Sequence, residues 1–253
     1  NRTQVEARTR RSGWRDLRRP WIKRVVLVGV GIAVLQQTTG VNTVMYYAPK
    51  ILMSTGEGET ASITAQVANG VVSVIGSGFG LWLVGRLRRR RMLITGLVGI
   101  IASLALLAGL FWTQVQPRLA AGAVPVAASY AVLGAMAVFL FFNQGFQAPA
   151  NWVLLSEVFP QQLRGFGMGL AVFCLWIANA AITYVFPVMI AAWGGGPTFA
   201  IFAGVNVVSL VFALAFVPET GGLSLEQVEV LLKRRFSPRR RLHNTTFTLG
   251  KTP

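Results

Sequence analysis

No charged residue stands between Arg24 and Lys50, and uncharged stretches of the same kind recur along the chain. Six apolar spans lie near 25–52, 62–85, 92–113, 123–156, 165–191 and 197–217. Each is near or above the roughly 20 residues that a helix needs to cross about 30 Å of hydrocarbon. Lipid offers the backbone no hydrogen bonds, so such spans are predicted as α-helices, which satisfy their peptide groups internally. Charged residues make up 13% of the 253 residues, about half the share usual in a soluble domain. The predicted fold class is all-α membrane, with six transmembrane helices.

A formal net charge of +16 would also suit a nucleic-acid binder, and the placement of the charges separates the two readings. Twenty-two of the 24 Lys and Arg residues lie in four places: residues 1–24, the cluster 86–91, Arg164, and the tail after Glu219. Bases concentrate on every second connection, although the third, 114–122, holds Arg118 alone. Residues 85–91 hold five arginines and 156–165 hold Arg164, whereas 54–60 hold Glu57 and Glu59 without a base. The positive-inside rule then puts both chain ends and the second and fourth connections in the cytoplasm of a plasma-membrane protein. Nucleic acid is not an expected partner. The expected organisation is a basic lead-in with a short intracellular helix over 1–24, a six-helix transmembrane bundle over 25–217, and a cytoplasmic tail over 218–253. In that tail Ser224 and Gln227 have capping-box spacing, ahead of a short amphipathic helix to about Arg235. The chain opens in the basic segment without Met, as a piece of a longer protein would.

Polar residues inside the spans narrow the chemistry. The first span carries Gln36-Gln37-Thr38-Thr39-Gly40-Val41-Asn42, then Tyr46-Tyr47-Ala48-Pro49. A buried amide without a partner costs a few kcal/mol, so these groups either bond one another or meet a ligand. On a regular helix Thr39, Asn42 and Tyr46 share a face that Gln36 and Gln37 do not join. Unwinding at Gly40 is expected to bring them together. The fourth span reads Asn143-Gln144-Gly145-Phe146-Gln147-Ala148-Pro149-Ala150-Asn151-Trp152, and Pro149 removes a backbone bond to Gly145. A helix broken there is expected to line a cavity. Asn69 and Asn206 are expected to act as interhelical glue, and the glycines of 76–80 and 165–169 to serve close helix packing. Amides both donate and accept, and an indole covers an apolar C–H face, so the set suits a neutral polyhydroxylated ligand. No carboxylate pair lies at depth, and the lone Cys174 and lone His243 make no catalytic or metal set. Neither an enzyme nor a cofactor is expected.

At these residues the chain resembles the sugar porter family of the major facilitator superfamily, specifically its C-terminal six-helix half. Gln36-Gln37-x-x-Gly40-Val41-Asn42-x-x-x-Tyr46-Tyr47-x-Pro49 is similar to the family's seventh-helix signature. Pro149-x-x-Trp152-x-x-x-Ser156-Glu157-Val158-Phe159-Pro160-x-x-x-Arg164-Gly165 is similar to its tenth helix and cytoplasmic end. Pro218-Glu219-Thr220-x-Gly222 with Leu225-Glu226 is similar to the motif after helix twelve. The resemblance covers roughly 14–235. It implies alternating-access transport of a neutral sugar or polyol, with Gln36, Gln37, Asn42, Tyr46, Trp152, Trp176 and Asn179 as substrate contacts. It implies cytoplasmic gating ion pairs among Arg86, Arg89, Arg90, Glu157, Arg164, Glu219 and Glu226. The implied partners are the sugar, the lipid bilayer, a further N-terminal six-helix half, and protons as a coupling ion.

Two departures qualify the resemblance. The family's loop acid is Gly85 here and its loop glycine is Arg88, which removes part of the latch. The family's eighth-helix asparagine falls on Ser73, which shortens or removes one sugar contact. The competing reading is a membrane sugar receptor or truncated remnant that does not transport.

Overall fold

Six helices in the computed structural model are long and apolar enough to cross a membrane: Pro20–Met45, Gln66–Val84, Arg89–Arg118, Val126–Val158, Arg164–Trp193 and Gly195–Phe216. They fall on the six expected spans, in order. The structure describes residues 20–45, 59–120, 124–161, 163–223 and 225–236, and no strand occurs among them. Helix α1 (Pro20–Thr38) is followed by a further helical turn over 41–45. Then come α2 (Glu59–Val84) and α3 (Arg89–Leu110), the latter running on through a π-helical turn, Phe111–Val115. The fourth crossing joins α4 (Val126–Phe142) to α5 (Ala148–Val158) through a π-helical turn, Asn143–Gln147. Helices α6 (Arg164–Trp193), α7 (Gly195–Phe216) and α8 (Leu225–Phe236) complete the chain. The tail helix thus ends near the expected Arg235, while its expected cap Ser224 lies outside the described residues.

The π-helical turn corrects the expectation of a broken fourth helix. Every residue flanking it keeps right-handed helical angles, so the helix widens by one residue and continues. Pro149 follows the π-helical turn directly, and the helical backbone carries on through it.

Helices α1 and α3 form the interior. The first packs on α5, α6, α7 and α8, the second on α4, α5 and α7. Helices α2 and α6 leave long apolar faces exposed, including Val71, Val74 and Leu81 on the one and Phe173, Ile177 and Tyr184 on the other. Two apolar cores result. One holds Ile22, Val25, Leu35, Met92, Leu97, Leu154, Phe159, Leu175 and Val217, and the amphipathic α8 closes it with Val228 and Leu232. The other holds Val41, Ile100, Leu107, Met136, Phe139, Phe186 and Phe199. The first core belongs to the end where the basic connections lie. Between the two, every crossing except α3 contributes polar side chains: Gln36 to Asn42, Ser73, Asn143 to Gln147, Asn179 and Asn206.

Small residues bring the fourth crossing close to its neighbours. A Cβ on Gly80 would lie 2.7 Å from Pro149 Cγ and 2.8 Å from the Gly145 carbonyl oxygen. On Gly96 it would lie 2.7 Å from the Gln147 backbone nitrogen. Gly76, Gly80 and Gly167 therefore pack as expected, whereas Gly78, Gly165 and Gly169 face open space. Gly96→Ala is expected to lower the stability of the purified protein in detergent by about 1–3 kcal/mol through overpacking. Gly109→Ala, with nothing within 4 Å of its Cβ, should be neutral or stabilising. Thermal melts of the two variants check the contrast.

Candidate functional site

The site begins with Gly40. Its φ of +76° lies in the left-handed region that favours glycine, and a Cβ there would come within 2.9 Å of the Phe202 ring. Helix α1 stops at Thr38, and Gly40 N–H closes a turn onto the Gln37 carbonyl at 2.9 Å. A helix that ends in a membrane leaves its last carbonyls without partners. Here the Leu35 carbonyl accepts from Thr38 Oγ1 and the Gln36 carbonyl from Thr39 Oγ1, at 2.8 and 2.7 Å. The Thr38 carbonyl accepts from Asn206 Nδ2 of α7 at 3.0 Å. Asn206 is thus interhelical glue, as expected. Asn69 is buried with its Oδ1 unpaired, so no such role is visible for it.

The unwound turn brings Asn42 back over Gln37. Asn42 Nδ2 donates to Gln37 Oε1 at 3.0 Å and to Asn179 Oδ1 of α6 at 2.8 Å. Gln36, on the other side, accepts at Oε1 from Asn151 Nδ2 at 2.9 Å. The expected approach of Asn42 to Gln37 at Gly40 is therefore present and Asn179 joins it, whereas Gln36 is bonded to Asn151 instead. These bonds also orient the amides. Both hydrogens of Asn42 Nδ2 are committed, so Asn42 Oδ1 is left without a partner among the described residues. The same holds for Gln36 Nε2, Gln37 Nε2 and Asn179 Nδ2. Three donors and one acceptor, none charged, remain for something else to meet.

Aromatic residues flank the amides. Trp152 follows Asn151 directly and is 44% exposed; Trp176 stands one turn before Asn179 and is 58% exposed. Ser73 is half-buried on α2, with its Oγ unpaired. Tyr46 lies outside the described residues. Asn143, Gln147 and Asn151 belong to the stretch expected to line a cavity, although the resemblance implies none of them as a substrate contact. Their spacing of four residues places them on one face, and all three are buried.

At the basic end, Arg89 Nε lies 3.6 Å from Glu157 Oε1, and the Thr220 hydroxyl donates to the other Glu157 oxygen. Gly221 N–H donates to Glu219 Oε1 at 3.0 Å, beside the start of α3. Two arginines also close neighbouring helices: Arg89 Nη1 donates to the Val84 carbonyl of α2, and Arg90 Nη2 to the Leu214 carbonyl of α7. Cations are favourable at helix C-termini. Arg86 instead lies over the Trp82 ring, 3.9 Å from its centroid. Of the expected gating set, the structure joins Arg89 and Glu157. It brings Arg164, Glu219 and Glu226 into no ion pair with the described residues.

Residues 2–232 match the family model described as Sugar (and other) transporter. The chain is 45% identical over 224 residues to the major myo-inositol transporter IolT of Bacillus subtilis (strain 168), covering 88% of this chain and 46% of IolT. It is 32% identical over 229 residues to the glucose transporter GlcP of Staphylococcus epidermidis, covering 90% and 49%. Among solved structures it is similar to the MFS proton:xylose symporter XylE bound to 6-bromo-6-deoxy-D-glucose, with TM-score 0.71 and 28% identity over 82% of this chain and 42% of that one. The chain thus spans about half the length of the relatives it matches. Those relatives are transporters, not enzymes. With six membrane-length helices and a family match over nearly their whole extent, the chain is a multi-pass membrane protein and belongs to the sugar porter family of the major facilitator superfamily.

Proposed function

We propose that this chain is the C-terminal half of a secondary transporter for a neutral sugar or polyol, working by alternating access with a second six-helix half. The observation that carries the reading is the set of four oriented, uncharged amide groups from α1, the helical turn that follows it, and α6. Three donors and one acceptor, flanked by two exposed indoles, match hydroxyls on a ring with apolar C–H faces. The named activities of the relatives, on myo-inositol, glucose and xylose, fall in that class. The facing wall of the site belongs to the other half, against the exposed faces of α2 and α6. Among the relatives XylE is a proton symporter, and protons are the coupling ion to test. The basic end is cytoplasmic in this reading, with the Arg89–Glu157–Thr220 contact part of a latch that parts on inward opening. A partly exposed pair held at 3.6 Å, with no hydrogen bond at Arg89 Nε, is individually weak, which a latch that opens every cycle requires.

Reconstitution of the complete transporter with inositols, hexoses and pentoses, with and without a pH gradient, tests the reading. Uptake of at least one neutral polyol is expected, and uptake of none overturns it. Gln37→Ala should weaken binding about tenfold, as the loss of one hydrogen bond in a dry site does. Asn206→Ala should change binding less than twofold while lowering stability by about 1–3 kcal/mol. Equal effects on binding would place the site elsewhere.

Two further outcomes follow from the division into halves. Cells that express this chain alone should accumulate no labelled myo-inositol. In the complete transporter Glu157→Gln should change the uptake rate while leaving affinity in detergent within twofold. A parallel loss of affinity would mean that Glu157 acts on the site and not on the latch.

A further inference from the structure

Asn151 is fully buried, yet the one hydrogen bond of its side chain among the described residues is the donation from Nδ2 to Gln36 Oε1. Its Oδ1 is buried and unpaired, and so is Nε2 of the fully buried Gln147 one helical turn earlier. One atom accepts, the other donates, and both sit on one face of the fourth crossing. An amide with a free choice of orientation presents either end to a neighbour at little cost. Whether Gln36 has that choice depends on what holds Asn151.

The directions upstream are settled. The Thr39 hydroxyl gives its one proton to the Gln36 carbonyl at 2.7 Å. Its oxygen is therefore an acceptor towards Asn143 Nδ2, at 3.3 Å. Asn143 Nδ2 also donates to Gln147 Oε1 at 3.4 Å. Gln147 must then keep Oε1 towards Asn143 and turn Nε2 away, where it stands unpaired.

We propose that Thr39, Asn143, Gln147 and Asn151 form a one-way hydrogen-bond relay, completed by one buried water, that fixes which atom Gln36 presents to a ligand. The water accepts from Gln147 Nε2 and donates to Asn151 Oδ1, which satisfies both buried orphans. A flipped Asn151 would donate to a water that already accepts from Gln147 and leave that water donating to neither amide, so Asn151 keeps Nδ2 towards Gln36, Gln36 answers with Oε1, and Gln36 Nε2 is left for the ligand. Gln36 accordingly reads one ligand hydroxyl through that hydroxyl's oxygen. Asn151 is a positioning residue and touches no ligand. The inference rests on the polyol-site reading above.

The test is equilibrium binding to the complete transporter, with myo-inositol and D-glucose and their monodeoxy and monofluoro analogues as probes. Fluorine keeps an acceptor and removes the donor; hydrogen removes both. In the unmodified protein one ring position should tolerate fluorine but lose about tenfold on deoxygenation. Gln36→Ala should erase that discrimination. Asn151→Leu should erase it at the same position alone, and in a Gln36→Ala background should add less than twofold. Gln147→Leu should act in the same way, and it decides the matter where Asn151→Leu does not fold. The relay is overturned if no position shows fluorine tolerance. It is equally overturned if these variants weaken all analogues alike, or if Asn151→Leu has the same effect with and without Gln36. An unmodified transporter that binds none of the probes overturns the polyol reading instead.

Discussion

A helix that stops inside a membrane must find partners for its last carbonyls, and at Thr38 that requirement shapes the rest of the molecule. Four carbonyls, from Leu35 to Thr38, are met by two threonine hydroxyls, by Gly40 N–H and by Asn206 of α7. Only a left-handed residue allows the chain to turn so tightly there, and a side chain at that point would strike Phe202. Asn206 must then stand opposite Thr38, which sets the height of α7 against α1. Asn42 swings over Gln37 and reaches Asn179, which sets α6. The polar layer is thus the feature by which the outer helices are placed, and the apolar cores fill in on either side of it.

The fold was legible in the sequence because lipid removes most alternatives. An uncharged span of some twenty residues has little choice but to be a helix. The alternation of basic connections gave the parity, and the structure gathers those connections around one apolar core. Part of the site was legible for a similar reason: Gly40 amid amides is costly unless the helix opens. Other features were not legible. Pro149 suggested a break, but the extra residue is absorbed two positions earlier as a π-helical turn, because Gly76, Gly80 and Gly96 hold the helix close on both sides. The identity of an amide's partner depends on which helices lie side by side, and no spacing within one helix contains that.

The basic end shows the same limit from another direction. Charge alone pairs arginines with acids, which is all that the expected latch contains. In the structure Arg89 and Arg90 also serve the ends of α2 and α7, whose last turns carry no base of their own. Backbone carbonyls are invisible to a reading of charges. The cluster is therefore partly architecture: it fastens three helices where the chain turns from α2 into α3, and Glu157 and Thr220 are added to that fastening.

The hydroxyl proton of Thr39 is a single object that two helices depend on. It points at the Gln36 carbonyl, and the orientation of Asn143 and Gln147 across the interface follows from that direction. Such an arrangement restricts how the layer can drift over evolutionary time. A donor exchanged for an acceptor at one position strands its neighbour until a second change answers it. Residues 39, 143 and 147 are therefore expected to vary as a set across descendants, while the leucines and valines around them change one at a time.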